Sequence, residues 1–170
     1  MAHMDIKLEN VLLGENYELK LIDFDLSYSK KVDKIRGRGT VDYRAPELKE
    51  KKKDLTPSKC DVFSAGIFLF ALQSRGILPF KEGSKTNRLF EDFQLSPKLF
   101  WSNHQRIQKK AKDFWSDSFK SLFESMCKTD PKKRPTLSEV KRHEWMKGPT
   151  YSQKEVKAIM KKAFQQSEKN

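Results

Sequence analysis

The stretch Asp5-Ile6-Lys7-Leu8-Glu9-Asn10, running straight into the apolar Val11-Leu12-Leu13, decides how the rest of this sequence is read. It sets a carboxylate, an ammonium and a carboxamide in one tight loop ahead of a short strand. A carboxylate so placed can steer a hydroxyl proton, Lys7 can neutralise a transferring phosphoryl group, and Asn10 can offer oxygen to a hard cation. Gly14-Glu15-Asn16 reads as a turn, and Tyr17-Glu18-Leu19-Lys20-Leu21-Ile22 as a second strand. That strand ends on Asp23-Phe24-Asp25, a further oxygen ligand for magnesium. Asp23 to Glu47 has no sustained period and carries Gly37 and Gly39, so it reads as a long loop, of the kind that is usually functional. It closes on Gly39-Thr40-Val41-Asp42-Tyr43-Arg44-Ala45-Pro46-Glu47.

Downstream the signals are helical. Thr56-Pro57 is a start signal, with Thr56 as the cap and Pro57 in the first turn. The helix it opens, about Pro57 to Ser74, is apolar nearly all round and is therefore expected in the middle of the fold. Leu78-Pro79-Phe80 breaks the chain. Further helices are expected near Arg88–Phe93, near Ser116–Lys128 and over Thr136–His143, the last opening on the capping box Thr136-Leu137-Ser138-Glu139. After Gly148-Pro149 a second capping box, Ser152-Gln153-Lys154-Glu155, starts a terminal helix. Val156, Ile159, Met160, Ala163 and Phe164 form one apolar stripe on it, with Lys154, Lys157, Lys161 and Lys162 mostly off the stripe.

Composition narrows the class. The 170 residues carry 35 Lys+Arg against 23 Asp+Glu, a net charge of +12. Charged residues at 34% exceed the usual quarter or so, yet 12 Phe and 3 Trp are more than a disordered chain carries. The longest apolar run, Ala65 to Leu72, is far too short for a membrane span, which needs about 20 residues. No secretory signal is visible, and Cys60 and Cys127 read as two buried free thiols, so a cytoplasmic or nuclear location is expected. Basic clusters at Lys30-Lys31, Lys34 to Arg38, Lys49 to Lys53 and Lys109-Lys110 lack interleaved aromatics, so a solvated basic surface is preferred over a nucleic-acid interface.

Each motif alone is common on protein surfaces; their order and spacing are not. Together with Asp61 and the run Asp130-Pro131-Lys132-Lys133-Arg134-Pro135-Thr136, they resemble the C-terminal lobe of a eukaryotic protein kinase, closest to the calcium/calmodulin-dependent serine/threonine group. The resemblance implies a mainly α lobe with a short β-hairpin at the catalytic loop over residues 1–147, and a basic amphipathic tail over 148–170. It implies Asp5 as the base orienting a substrate hydroxyl, Lys7 as the serine/threonine-type lysine, and Thr40 as a bridge between them. It further implies Asn10 and Asp23 as magnesium ligands, and Leu12 as the floor of the adenine pocket of ATP. Glu47 and Arg134 should form a buried ion pair, Asp61 should bind the catalytic-loop backbone from below, and His3 and Phe24 should be structural.

Three departures from that family pattern carry expectations. Met4 stands where the family usually has the arginine that pairs with an activation-loop phosphate, and no Ser, Thr or Tyr lies between Lys30 and Gly39. A parent kinase that does not use loop phosphorylation is expected. Met1–Met4 reads either as native or as a cloning remnant. Asp25 stands where the family has glycine, and should stiffen that turn and add negative charge near the metal site. The N-lobe, with its glycine-rich loop, is absent from these residues, so the isolated chain is expected neither to bind ATP usefully nor to transfer phosphate. Two function classes follow. One is the catalytic C-lobe of a serine/threonine kinase acting on a protein substrate with Mg-ATP. The other is a pseudokinase-like interaction or dimerisation module, whose Leu12, Leu13, Leu21 and Phe24 would promote self-association. The tail helix packs on the lobe or binds calmodulin or another regulator; membrane attachment is not expected.

Overall fold

Among the described residues, the sheet consists of two three-residue strands. A computed structural model describes residues 1–29, 38–48, 55–80, 88–111 and 113–167. Val11–Leu13 (β1) pairs antiparallel with Leu19–Leu21 (β2), Val11 opposite Leu21 and Leu13 opposite Leu19. The second strand is shorter than the expected Tyr17–Ile22 because the turn takes Tyr17: its N–H donates to Gly14 O at 2.8 Å, and its φ of 62° is left-handed. So short a hairpin is not stable alone. Its far end is tied to the loop before it, where Ile22 N–H donates to Asn10 O at 2.9 Å.

The rest is helical. Among the described residues six α-helices follow the hairpin: Pro57–Gln73 (α1), Arg88–Leu95 (α2), Pro97–Ile107 (α3), Asp117–Met126 (α4), Leu137–Arg142 (α5) and Gln153–Ser167 (α6). Pro57 opens α1 as expected, but Thr56 makes no side-chain cap; only its carbonyl works, accepting from Lys59 and Cys60 N–H. α1 buries Val62, Phe63, Ile67 and Phe70 among its neighbours. Gly66 is where α1 touches α4: a Cβ there would stand 2.7 Å from Cys127 Sγ and 3.2 Å from Met126 Cβ. α4 begins at a Ser116 cap that accepts the Phe119 N–H, and α5 carries the complete Thr136–Glu139 capping box. α3 was not expected from the sequence, although Ser96-Pro97 repeats the Thr56-Pro57 signal, and here the Ser96 side chain does cap, accepting from Leu99 N–H.

An aromatic cluster joins these helices. The Phe70 ring lies 5.3 to 6.0 Å, centroid to centroid, from Phe100, Trp101, Trp115 and Phe123, in tilted and stacked arrangements. Such pairs add to the area that they bury. Cys60 and Cys127 are both buried and free, and burial pushes both thiols far up, which makes them unreactive.

α6 returns to the hairpin. Ser152 and Glu155 exchange capping bonds, Val156 and Met160 are half-buried, and Phe164 stacks on Tyr17 at 6.5 Å. Lys157 Nζ donates to Asn16 Oδ1 at 3.1 Å. Among the described residues, no helix is long and apolar enough to cross a membrane. Of the basic clusters, Lys30-Lys31, Lys34 to Gly37 and Lys49 to Lys53 lie outside the described residues, while Lys110 sits 4.4 Å over the Phe114 ring.

His104 is buried in the aromatic cluster. Gln108 Nε2 donates to its Nδ1 at 3.1 Å, so Nε2 carries the proton and donates to Pro79 O at 2.9 Å. Burial holds the imidazole below its ordinary 6.5, against the raising effect of the Pro79 bond. The unfolded chain therefore takes up the proton first: the stabilisation is complete above the ordinary value and is lost as pH falls toward the folded one. His104→Gln, which keeps a donor for Pro79 O, should flatten the loss of urea-unfolding free energy between about pH 7 and about pH 5. An unchanged slope would remove His104 as its source.

Candidate active site

The loop before β1 is shaped from beneath. Asp61, in the first turns of α1, accepts the His3 N–H at Oδ2 (2.7 Å) and the Met4 N–H at Oδ1 (2.8 Å). Burial pushes the Asp61 carboxyl up, and those two bonds act against it. Met4 is held left-handed at φ 69° with its side chain in the core. His3 is buried too: its Nδ1 accepts the Asp5 N–H at 3.2 Å, so its Nε2 is the donor to Ile22 O at 2.9 Å. Phe24 meets the His3 ring edge-on at 4.7 Å.

That backbone presents the Asp5 carboxylate to four donors. Thr40 gives its N–H and its hydroxyl to Oδ1, at 2.7 and 2.8 Å. Lys7 Nζ stands 3.1 Å from Oδ2 and also donates to Thr40 Oγ1 at 2.9 Å. Asn10 Nδ2 donates to Asp5 Oδ2 at 3.2 Å and to Asp5 O at 2.9 Å. Burial would raise the Asp5 carboxyl, but the Thr40 hydroxyl, the Lys7 ammonium and the Thr40 amide outweigh it and hold it below its ordinary value. Asp5 is thus an ionised group that can take a hydrogen bond from a substrate hydroxyl, with an ammonium alongside.

Asn10 and Asp23 share one end of the hairpin. Both amide hydrogens of Asn10 are occupied by Asp5, which leaves Oδ1 as the atom it can offer a cation. The pairing of Ile22 with Asn10 sets Asp23 one residue further on, left-handed at φ 61° and exposed. One amide and one carboxylate oxygen suit magnesium, which keeps several waters and takes its remaining ligands from substrate phosphates. Among the described residues no group of three or more His, Cys, Asp or Glu could hold a metal on its own. Asp25 is exposed and is not left-handed; the strained residue of the turn is Asp23, and Ser27 N–H closes the turn on Phe24 O at 2.9 Å. Leu12, in β1, is half exposed, as are Leu13 and Phe24.

Glu47 and Arg134 meet across 87 positions of sequence. Arg134 Nη1 and Nη2 donate to the two Glu47 oxygens at 2.6 and 2.7 Å, with both side chains buried. The remaining guanidinium hydrogens go to the carbonyls of Lys128, Lys59 and Thr129. Cys60 Sγ donates to Glu47 Oε1, a contact that a pattern of apolar positions does not reveal. Gly39 also escaped a sequence reading beyond its place in a loop. It is left-handed at φ 89°, and a Cβ would stand 2.6 Å from Met4 O.

The Asp5 loop, the hairpin with Asn10 and Asp23 at one end, and the buried Glu47–Arg134 pair are thus tied together through Asp61, Thr40 and α1. A model of the protein kinase domain matches residues 1–146. The chain belongs to the protein kinase family. It is 35% identical over 152 residues to the 3-phosphoinositide-dependent protein kinase B of Dictyostelium discoideum, covering 85% of this chain and 15% of that protein. It is 33% identical over 153 residues to the serine/threonine-protein kinase CHK1 of Saccharomyces cerevisiae, covering 86% and 27%. With the CBL-interacting serine/threonine-protein kinase 13 of Arabidopsis thaliana it is 32% identical over 150 residues, covering 85% and 27%. The chain therefore spans between about a seventh and about a quarter of the length of these relatives.

Asp61→Asn tests the support of the loop. The amide offers one acceptor where two N–H groups converge, so one is left facing an NH2 group. A loss of about 1–3 kcal/mol in urea-unfolding free energy is expected. A change below about 0.5 kcal/mol, the scale of an ordinary surface substitution, would contradict it.

Proposed function

We propose that this chain is the catalytic lobe of a serine/threonine protein kinase, which in its parent protein transfers the terminal phosphoryl group of Mg-ATP to a protein hydroxyl. The observation that carries this is the Asp5 carboxylate, kept ionised by Thr40 and Lys7 and bonded by the Asn10 amide. Asp5 orients the incoming serine or threonine hydroxyl, and Lys7 balances charge on the group in transit. Thr40 holds both in register. Asn10 and Asp23 would hold magnesium, which would supply charge neutralisation on the phosphates, and Leu12 would form the floor of the adenine site. The serine/threonine class accords with the names of the yeast and plant relatives.

Within the family, the nearest group is the calcium/calmodulin-dependent type, with a kinase lobe over 1–147 and a regulatory tail over 148–170. The tail helix leaves Ile159 and Phe164 about half exposed beside its lysines, a face suited to calmodulin or a similar regulator. A relative named for its interaction with another protein accords with a regulator of some kind. The protein acts in the cytoplasm or nucleus, and its loop works without phosphorylation. These 170 residues hold no glycine-rich phosphate loop, so taken alone they neither bind ATP usefully nor transfer phosphate. A second reading is a non-catalytic interaction module; the exposed Leu12, Leu13 and Leu21 of the hairpin, with Phe24 just beyond it, favour it as a surface for self-association.

Transfer to a serine peptide by the parent protein separates the two. Asp5→Asn should lower the rate by about 10²- to 10⁴-fold while magnesium-dependent ATP binding persists. Parent protein that binds no nucleotide and transfers nothing would sink the kinase reading in favour of the interaction module.

A further inference from the structure

Arg38 has no part in the site as described so far. Its Nη1 donates to the carbonyl oxygens of Leu26 (3.0 Å) and Ser27 (3.1 Å). Those carbonyls belong to a stretch that is fixed in two other ways. Ser27 N–H closes a turn on Phe24 O, and Tyr28 exchanges both of its backbone bonds with Ala2, at 3.1 and 2.8 Å. Ala2 in turn lies just ahead of the Asp5 loop. The segment after Asp23 is therefore a fixed shelf beside Asp5, and Arg38 grips it.

Arg38 is two residues from Thr40. Between them Gly39, at φ 89°, runs so close to the backbone of Met4 that a Cβ would stand 2.6 Å from the Met4 carbonyl oxygen. Only from that close approach do the Thr40 N–H and hydroxyl reach Asp5 Oδ1, at 2.7 and 2.8 Å. Lys7 holds Thr40 Oγ1 from the other side. Pressing two distant stretches of backbone together costs entropy, which must be offset by bonds at the contact. Two bonds from a cationic donor to carbonyls are among the stronger means available.

We propose that Arg38 is a positioning residue: by gripping the Leu26 and Ser27 carbonyls it seats Thr40 on Asp5. This rests on the reading of Asp5 as the group that orients the substrate hydroxyl, but its test needs no turnover. Amide hydrogen exchange is followed by NMR in the 170-residue chain, as wild type, Arg38→Met and Arg38→Lys. Methionine keeps the length of the side chain and removes the donors; lysine keeps a charged donor without the planar fork.

In Arg38→Met the Thr40 amide should exchange about tenfold faster or more, while the amides of α1 and α4 stay within about twofold of wild type. Arg38→Lys should restore part of the Thr40 protection. Unchanged Thr40 exchange in Arg38→Met overturns the proposal. So does a loss of protection spread evenly over α1 and α4, or failure of Arg38→Met to fold, since Arg38 would then support the fold as a whole. None of these results bears on phosphoryl transfer by the parent protein, which is judged by its own assay.

Discussion

One buried ion pair ties the molecule together. Arg134 lies after α4, Glu47 at the end of the long loop and Lys59 at the start of α1; the guanidinium bonds all three, with its five hydrogens all directed at oxygen. Burying two charges is costly, and a pair replaced by apolar groups often loses nothing. What such a pair does impose is register, because either charge alone in the core is far worse than both together. Here it determines where the segment ending at Glu47 must lie, and so the place from which Thr40 reaches Asp5. Ser64 adds a second stitch between α1 and that segment, donating to Tyr43 O at 2.9 Å.

Above that anchor, α1 serves both as core and as platform. Its Phe70 ring packs among Phe100, Trp115 and Phe123, while Asp61 on its first turns collects the N–H groups of His3 and Met4. A rigid, all-round apolar helix can place a carboxylate under a loop with little freedom to move. The loop that carries Asp5 is then held from beneath, and its polar groups are left to one another: His3 to Asp5, Asn10 to Asp5, and Lys7 to Asp5 and Thr40. The site is consequently dense in hydrogen bonds but small, and it opens on the apolar, half-exposed hairpin.

Local patterns in the chain carried most of the fold. Proline and capping signals marked the starts of α1, α5 and α6, and periodicity showed the stripe on α6. What escaped was physical rather than accidental. α3 is amphipathic and packs its aromatic residues on one face, so no apolar run advertises it, and only Ser96-Pro97 hints at its start. The second strand lost Tyr17 to a left-handed turn that residue type does not announce. In the site, Asp5, Lys7 and Asn10 lie close together in sequence and were legible as a cluster. The approach of Thr40, Glu47 and Asp61 from far along the chain came from the family resemblance alone. The Cys60 contact with Glu47, the constraint on Gly39 and the grip of Arg38 depend on backbone geometry that no motif records.

The anchoring role of the Glu47–Arg134 pair is tested most directly by a double-mutant cycle. Glu47→Ala, Arg134→Ala and the double variant are compared with wild type by urea unfolding. Each single change should cost about 3–5 kcal/mol, since each leaves an unpaired buried charge, and the double change should cost well below the sum. A coupling energy of at least about 1.5 kcal/mol is the expected result. Additive losses, with coupling below about 0.5 kcal/mol, would contradict the account and move the anchor elsewhere in the fold.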